Sequence, residues 1–211
     1  MPHDFLVAGP EDAEITIVLA HGAGGAMDTT WMETMAAAFS EKGLRVVRFE
    51  FDYMSARRSS GKRSPPPRAE LLSQEFEAVI DEIGAAGTVV IAGKSLGGRV
   101  ASMIADHLRD AGKITGLLCL GYPFHPIGKP DSLRTAHLKG MKTPALMCQG
   151  TRDLFGSREE VSRYKLSEMI EILWLEDGDH DFQPRKAVSG LTAAQHVATV
   201  ADHVARWAAA L

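Results

Sequence analysis

The sequence predicts an α/β fold of three layers: a mostly parallel central sheet with helices on both faces and no cap domain. Three observations point to it. Apolar runs of strand length are continuous rather than alternating, as in strands covered on both faces. Longer segments with apolar residues near a 3.6 period come between them. The 211 residues suit one core and are too few for two good ones, so residues 1–211 are expected to form a single domain.

Residues 15–20, Ile-Thr-Ile-Val-Leu-Ala, read as a strand that stops at Gly22. Residues 31–41 have helical spacing, with Thr29 or Thr30 as the cap and Gly43 as the stop. A strand over 44–51 precedes a helix over 68–83, whose apolar positions are Leu71, Leu72, Phe76, Val79, Ile80 and Ile83. A buried strand over 88–92 leads to a helix over 99–109. Strands over 114–120 and 144–148, a helix over 158–166, a strand over 170–175 and an alanine-rich helix over 193–210 complete the order. Residues 57–68 contain Ser59-Ser60-Gly61 and Pro65-Pro66-Pro67. Consecutive prolines fit neither a helix interior nor a central strand, so this stretch is expected to be an exposed loop, partly polyproline II.

A net charge of −4 gives no general attraction to nucleic acid or anionic membrane. The two cysteines, Cys119 and Cys148, each lie inside an apolar run and read as buried thiols of a reducing compartment. Met1-Pro2-His3-Asp4 does not open a signal peptide, and no apolar run reaches membrane-spanning length, so a cytoplasmic protein is the default expectation.

Chemistry concentrates at Gly93-Lys94-Ser95-Leu96-Gly97. A Gly-x-Ser-x-Gly pattern alone is weak. Here it follows a strand and opens a helix, the setting of a nucleophile elbow, in which a strained turn exposes the serine hydroxyl and small neighbours relieve the crowding. Ser95 is thus the candidate nucleophile. It needs a base, and the base an orienting acid. The run 144–148 leads into Gln149-Gly150-Thr151-Arg152-Asp153, and the run 170–175 into Asp177-Gly178-Asp179-His180-Asp181-Phe182. His180 is the candidate base and Asp153 the candidate acid; Asp179 and Asp181 flank the histidine but are poorly placed to turn onto it. The backbone N–H of Leu96 is one expected oxyanion donor. The Gly-rich turn His21-Gly22-Ala23-Gly24-Gly25 supplies the second, from Ala23 or else Gly24. That turn lacks the spacing of a dinucleotide site and the Lys-Ser/Thr of a phosphate loop. His21 reads as a structural partner of the turn. His3, His107, His137, His196 and His203 carry no chemical signal of their own.

Arg57, Arg58, Lys62, Arg63 and Arg68 cluster in the Pro-rich stretch. They could recognise an acidic substrate, dock an acidic or SH3-like partner, or be a solvated face paired with the acidic remainder. Lys94 either adds positive field beside the nucleophile or pairs with a nearby acid. Trp31, Tyr53, Tyr122, Phe124, His125 and Phe155 are candidates to line the pocket, with packing at the sheet edge as the alternative for each.

These motifs together resemble the α/β-hydrolase superfamily, and are most similar to its small, lid-less members near the dienelactone hydrolases. Phe49-Glu50-Phe51-Asp52-Tyr53, Arg57-Arg58, Gly61-Lys62-Arg63, Pro65-Pro66-Pro67 and Gly121-Tyr122-Pro123-Phe124-His125-Pro126 resemble, more closely, a group that includes vertebrate testis-expressed and histone-acetyltransferase-complex hydrolase-like proteins. The resemblance spans nearly the whole chain and implies the fold and the triad, but no agreed substrate. Dienelactone hydrolases use a cysteine nucleophile; Ser95 in its place implies ordinary ester chemistry on a small-molecule substrate. No metal or organic cofactor is implied, and no His-x-Glu or Cys-x-x-Cys ligand pattern occurs. Two other readings stay open: an acyltransferase, with an alcohol or thiol in place of water, and a non-catalytic binding or scaffold protein, since fold does not fix function.

Overall fold

The computed structural model describes residues 3–61 and 65–211. Lys62 and Arg63 of the basic stretch lie outside the described residues. Seven strands form one sheet: β1 (Leu6–Ala8), β2 (Ile15–Ala20), β3 (Arg45–Phe49), β4 (Thr88–Lys94), β5 (Gly116–Leu120), β6 (Ala145–Gly150) and β7 (Ile170–Leu175), in the order β1-β3-β2-β4-β5-β6-β7. Only β1 runs antiparallel to its neighbour; the other pairings are parallel. In β4, β5 and β6 every residue after the first is buried, which is why their sequences are mostly apolar, with Lys94 and Gln149 the buried polar exceptions near the carboxyl ends.

Helices α1 (Thr30–Ser40) and α7 (Ala193–Ala208) cover one face, where Met35, Phe39, Val200 and Val204 meet Ile17, Leu19 and Leu118. Helices α3 (Ala69–Ile83) and α4 (Leu96–Asp110) cover the other, through Leu72, Phe76, Val100 and Ile104. Strand order reverses at β2, which has β3 on one side and β4 on the other. The loops leaving β2 and β4 therefore part to opposite faces and leave a crevice at the carboxyl end of the sheet, where ligand sites of open parallel sheets form. Ala20 of β2 pairs with Gly93 of β4, so the Gly22–Gly25 turn and Ser95 emerge side by side.

Several local expectations are corrected. The basic stretch begins within helix α2 (Asp52–Ser60), ended by Gly61 at φ 70°; residues 65–68 carry no regular structure. The expected helix over 158–166 is a single turn, α5 (Arg158–Val161), with a capping box between Ser157 and Glu160. After it, the Ser162 hydroxyl donates to the carbonyl of Glu159. The elbow helix begins at Leu96 rather than at 99. Strand β1, the turn α6 (Lys186–Ser189) and a 3-10 turn at His137–Gly140 are too short to leave a periodic signal. No described helix is long and apolar enough to cross a membrane.

Candidate active site

Ser95 sits between β4 and α4 with φ 50° and ψ −109°, a conformation that costs a side-chain-bearing residue on the order of 1–3 kcal/mol. The turn is held by its surroundings. The Ser95 amide donates to the Leu120 carbonyl at 3.0 Å. A Cβ on Gly93 would lie 2.1 Å from the carbonyl carbon of Gly97, and one on Gly97 would lie 2.6 Å from the His21 carbonyl oxygen. Strand and helix thus cross at a distance only glycine permits, and the crossing lifts Ser95 to the end of the sheet. Leu96 is the first residue of α4, where an N–H has no intrahelical acceptor.

Asp153 follows β6 and is fully buried. One of its carboxylate oxygens, Oδ1, accepts the Phe155 amide at 2.8 Å; the other, Oδ2, accepts Gln149 Nε2 at 2.9 Å and His180 Nδ1 at 2.7 Å. A carboxylate there requires the proton on Nδ1, which leaves Nε2 of the neutral ring as an acceptor. Asp179 and Asp181 do not take this place. Asp179 accepts the amides of Asp181 and Gln183, both at 2.9 Å, and shapes the turn. Asp181 lies 3.0 Å from Lys94 Nζ.

Lys94 is the residue the sequence left undecided, and the structure shows it paired. Its buried ammonium donates to the main-chain carbonyl of His180, pairs with Asp181 and lies 4.9 Å from the centre of the Trp31 ring. Burial lowers its pKa, against the raising effect of Asp181. Gly121, at φ 69°, makes room for it: a Cβ there would stand 3.1 Å from Nζ and 3.0 Å from the His180 carbonyl oxygen.

The Gly-rich turn is oriented from below. His21 is buried, and its Nε2 accepts the Phe51 amide at 3.2 Å, so its Nδ1 must donate to the Gly22 carbonyl at 2.7 Å. Tyr53 donates to the Ala23 carbonyl at 3.2 Å; burial pushes its phenol up to about 12, so the donor stays protonated. In a trans peptide the N–H points opposite to the C=O. Pinning these carbonyls therefore turns the Ala23 and Gly24 amides the other way.

Burial lowers the pKa of His21, and burial with Arg99 nearby lowers that of His137. His137 Nε2 lies 2.8 Å from the Ser102 hydroxyl, which itself donates to the Arg99 carbonyl at 2.7 Å. Both rings are held neutral in the fold, so the unfolded chain binds more protons as pH falls below the ordinary value of 6.5. The stability they contribute is complete above that value and is lost on acidification. The thermal midpoint should fall between about pH 7.5 and pH 5.5, and fall less steeply in His137→Gln; calorimetry at several pH values checks this.

Ser95, His180, Lys94, Phe155, Trp31 and the 22–25 turn border one cavity of about 1040 Å³. Of the remaining candidates, Tyr122, Phe124 and His125 are not on its wall. Each is buried, with Tyr122 donating to the Arg134 carbonyl at 2.8 Å and His125 bonded to the Pro126 carbonyl at 2.9 Å. Tyr122 and Phe124 belong to the core that also holds Leu117, Met147 and Val100, and so pack the 121–136 segment onto the sheet. Tyr53 lies beneath the turn and Arg57 off the wall. Arg58 is committed to Glu50 at 2.5 Å and Asp28 at 2.8 Å, so it pairs with acids of the chain itself. Gln149 went unread in the sequence, although a lone polar residue closing an apolar strand is a usable signal. It accepts the Tyr122 amide at 2.7 Å while donating to Asp153.

The chain matches the family described as alpha/beta hydrolase domain over residues 13–209. It is similar in structure to an α/β serine hydrolase homologue from Coxiella burnetii, with a TM-score of 0.69 at 19% identity over 96% of this chain and 89% of that one. A lid-less α/β serine hydrolase from Xanthomonas campestris gives 0.70 at 21% identity, over 98% and 89%. The dienelactone hydrolase of Anabaena variabilis gives 0.69 at 17% identity, over 96% and 89%. With its mostly parallel sheet and its helices on both faces, the chain belongs to the α/β-hydrolase domain family.

Proposed function

We propose that this protein is a serine hydrolase that cleaves a carboxylic ester or thioester of a small molecule through Ser95, Asp153 and His180. The observation that carries the reading is the 2.7 Å bond from His180 to the buried Asp153, with His180 and the strained Ser95 bordering the same cavity.

In this reading the Ser95 hydroxyl oxygen bonds to the acyl carbon while its proton passes to His180 Nε2. The carbonyl oxygen takes the negative charge and is met by the Leu96 amide and by Ala23, with Gly24 as the alternative donor. Collapse breaks the bond to the alcohol or thiol, which leaves with the proton from Nε2. Water then gives a proton to Nε2, attacks the acyl-enzyme, and releases the acid and the Ser95 hydroxyl. Asp153 holds the ring tautomer and stabilises the imidazolium, and Lys94 positions the His180 main chain. Arg58 is already paired with Glu50 and Asp28 and Arg57 does not line the cavity, so this reading gives neither a substrate contact.

Stopped-flow kinetics with p-nitrophenyl acetate test the reading: a burst of nitrophenolate stoichiometric with enzyme, then steady turnover, is expected. Added alcohol that raises nitrophenolate release and yields a new ester would identify transfer as the physiological outcome. Absence of both burst and turnover in folded protein would favour a binding protein on this fold. Tyr53→Phe, which frees the Ala23 carbonyl, should lower kcat by about tenfold, less than direct loss of an oxyanion donor, with KM little changed in steady-state assays.

A further inference from the structure

The cavity at Ser95 does not end at the catalytic residues. It continues as a groove between α1 and α7, walled by Trp31, Met35 and Ala38 on one side and Val197, Ala198 and Ala201 on the other. Met35 and Ala201 form a buried floor, and Ala198 is an exposed rim. The two helices pack side by side, and small residues on α7 keep the trough open. Charge is confined to its ends: Lys94 and Asp181 at the catalytic end, Glu41 and Lys42 at the other, where Lys42 lies 2.5 Å from Asp202. A largely apolar trough that starts at the candidate nucleophile and ends at an ion pair suits a linear chain.

Resting on the hydrolase reading above, we propose that this groove binds a linear aliphatic chain carried by the scissile ester, making medium-chain esters the preferred substrates. From Trp31 to Ser40 the α1 wall runs roughly 14 Å at the helical rise, and Glu41 and Lys42 lie just past its end. A saturated chain advances about 1.3 Å per carbon, so about ten to twelve carbons reach the Lys42–Asp202 pair. A fully buried methylene is worth about fourfold in binding, and in a trough open on one side about twofold. The aliphatic chain can belong to the acyl group or to the alcohol; the chemistry recognised is the same, and separate substrates distinguish the two.

The test measures kcat/KM for p-nitrophenyl esters from acetate to tetradecanoate, and for dodecyl acetate, on the whole protein. A rise of about 250- to 1000-fold from acetate to decanoate or dodecanoate, levelling beyond, is expected if the acyl chain lies in the groove. A preference for dodecyl acetate over ethyl acetate, with a flat acyl series, would place the alcohol chain there. Ala198→Trp fills the trough and should lower the long-to-short ratio at least tenfold, and Lys42→Ala should move the plateau to longer chains. Calorimetric binding of dodecanoate to Ser95→Ala, weakened when Ala198→Trp is added, gives a readout free of catalysis. Brisk acetate hydrolysis with no dependence on either chain, or with ratios untouched by Ala198→Trp, would overturn the groove while leaving the hydrolase reading intact. Failure to turn over any ester, acetate included, together with no dodecanoate binding, would overturn both.

Discussion

Ser95→Ala is expected to lower kcat/KM for ester hydrolysis by about 10⁴-fold or more while changing stability by less than about 1 kcal/mol. The substitution removes one oxygen and leaves the φ 50° turn, its amide bond to Leu120 and the glycine crossing in place. His180→Ala should cost a similar factor, and the double variant little more than either alone, because nucleophile and base act as a unit. Independent, multiplying effects would mean that the two residues do not share a proton. Steady-state kinetics on the three variants, each checked for an unchanged thermal midpoint, read this out.

The largest effect on stability is expected at Gly93. A methyl there would lie 2.1 Å from the Gly97 carbonyl carbon and 2.2 Å from the Gly98 amide nitrogen, both main-chain atoms of a buried helix start. No rotamer change relieves such a contact; β4 and α4 would have to separate, and with them the core between Ala20, Val100 and Cys119. Gly93→Ala should cost at least about 4 kcal/mol, in the range reserved for backbone clashes and disrupted cores, or give no folded protein. Gly24→Ala is the control: a Cβ at Gly24 meets nothing within 4 Å, so it should fold normally. Urea unfolding of both variants measures the contrast.

The elbow was legible because its chemistry and its sterics make the same demand: a strand, a strained serine and glycines where two backbones touch. The pairing of Asp153 with His180 was legible from their order and from the strands before them. The aromatic candidates were not separable in the same way. Phe155 reaches the cavity and Phe124 lies in the core instead, yet both are rings in loops, and an apolar side chain satisfies a cavity wall or a core equally well. Helix α2 was illegible because it buries only Tyr53 and Met54. Arg58 also ties it to Glu50 and Asp28, acids brought near only by the tertiary fold. The Lys94 tie to the His180 carbonyl joins residues 86 positions apart, beyond the reach of any local pattern. The groove between α1 and α7 likewise appears only once the two helices lie side by side.

The most direct test of the central claim is covalent. A fluorophosphonate probe reacts with a serine only when that serine is activated and its oxyanion site is formed. Applied to the folded protein and followed by peptide mass spectrometry, it should give one adduct, on Ser95, absent from Ser95→Ala and slowed in His180→Ala. No adduct on folded protein would contradict the account. So would an adduct elsewhere, as at Ser102, whose hydroxyl lies 2.8 Å from His137 Nε2.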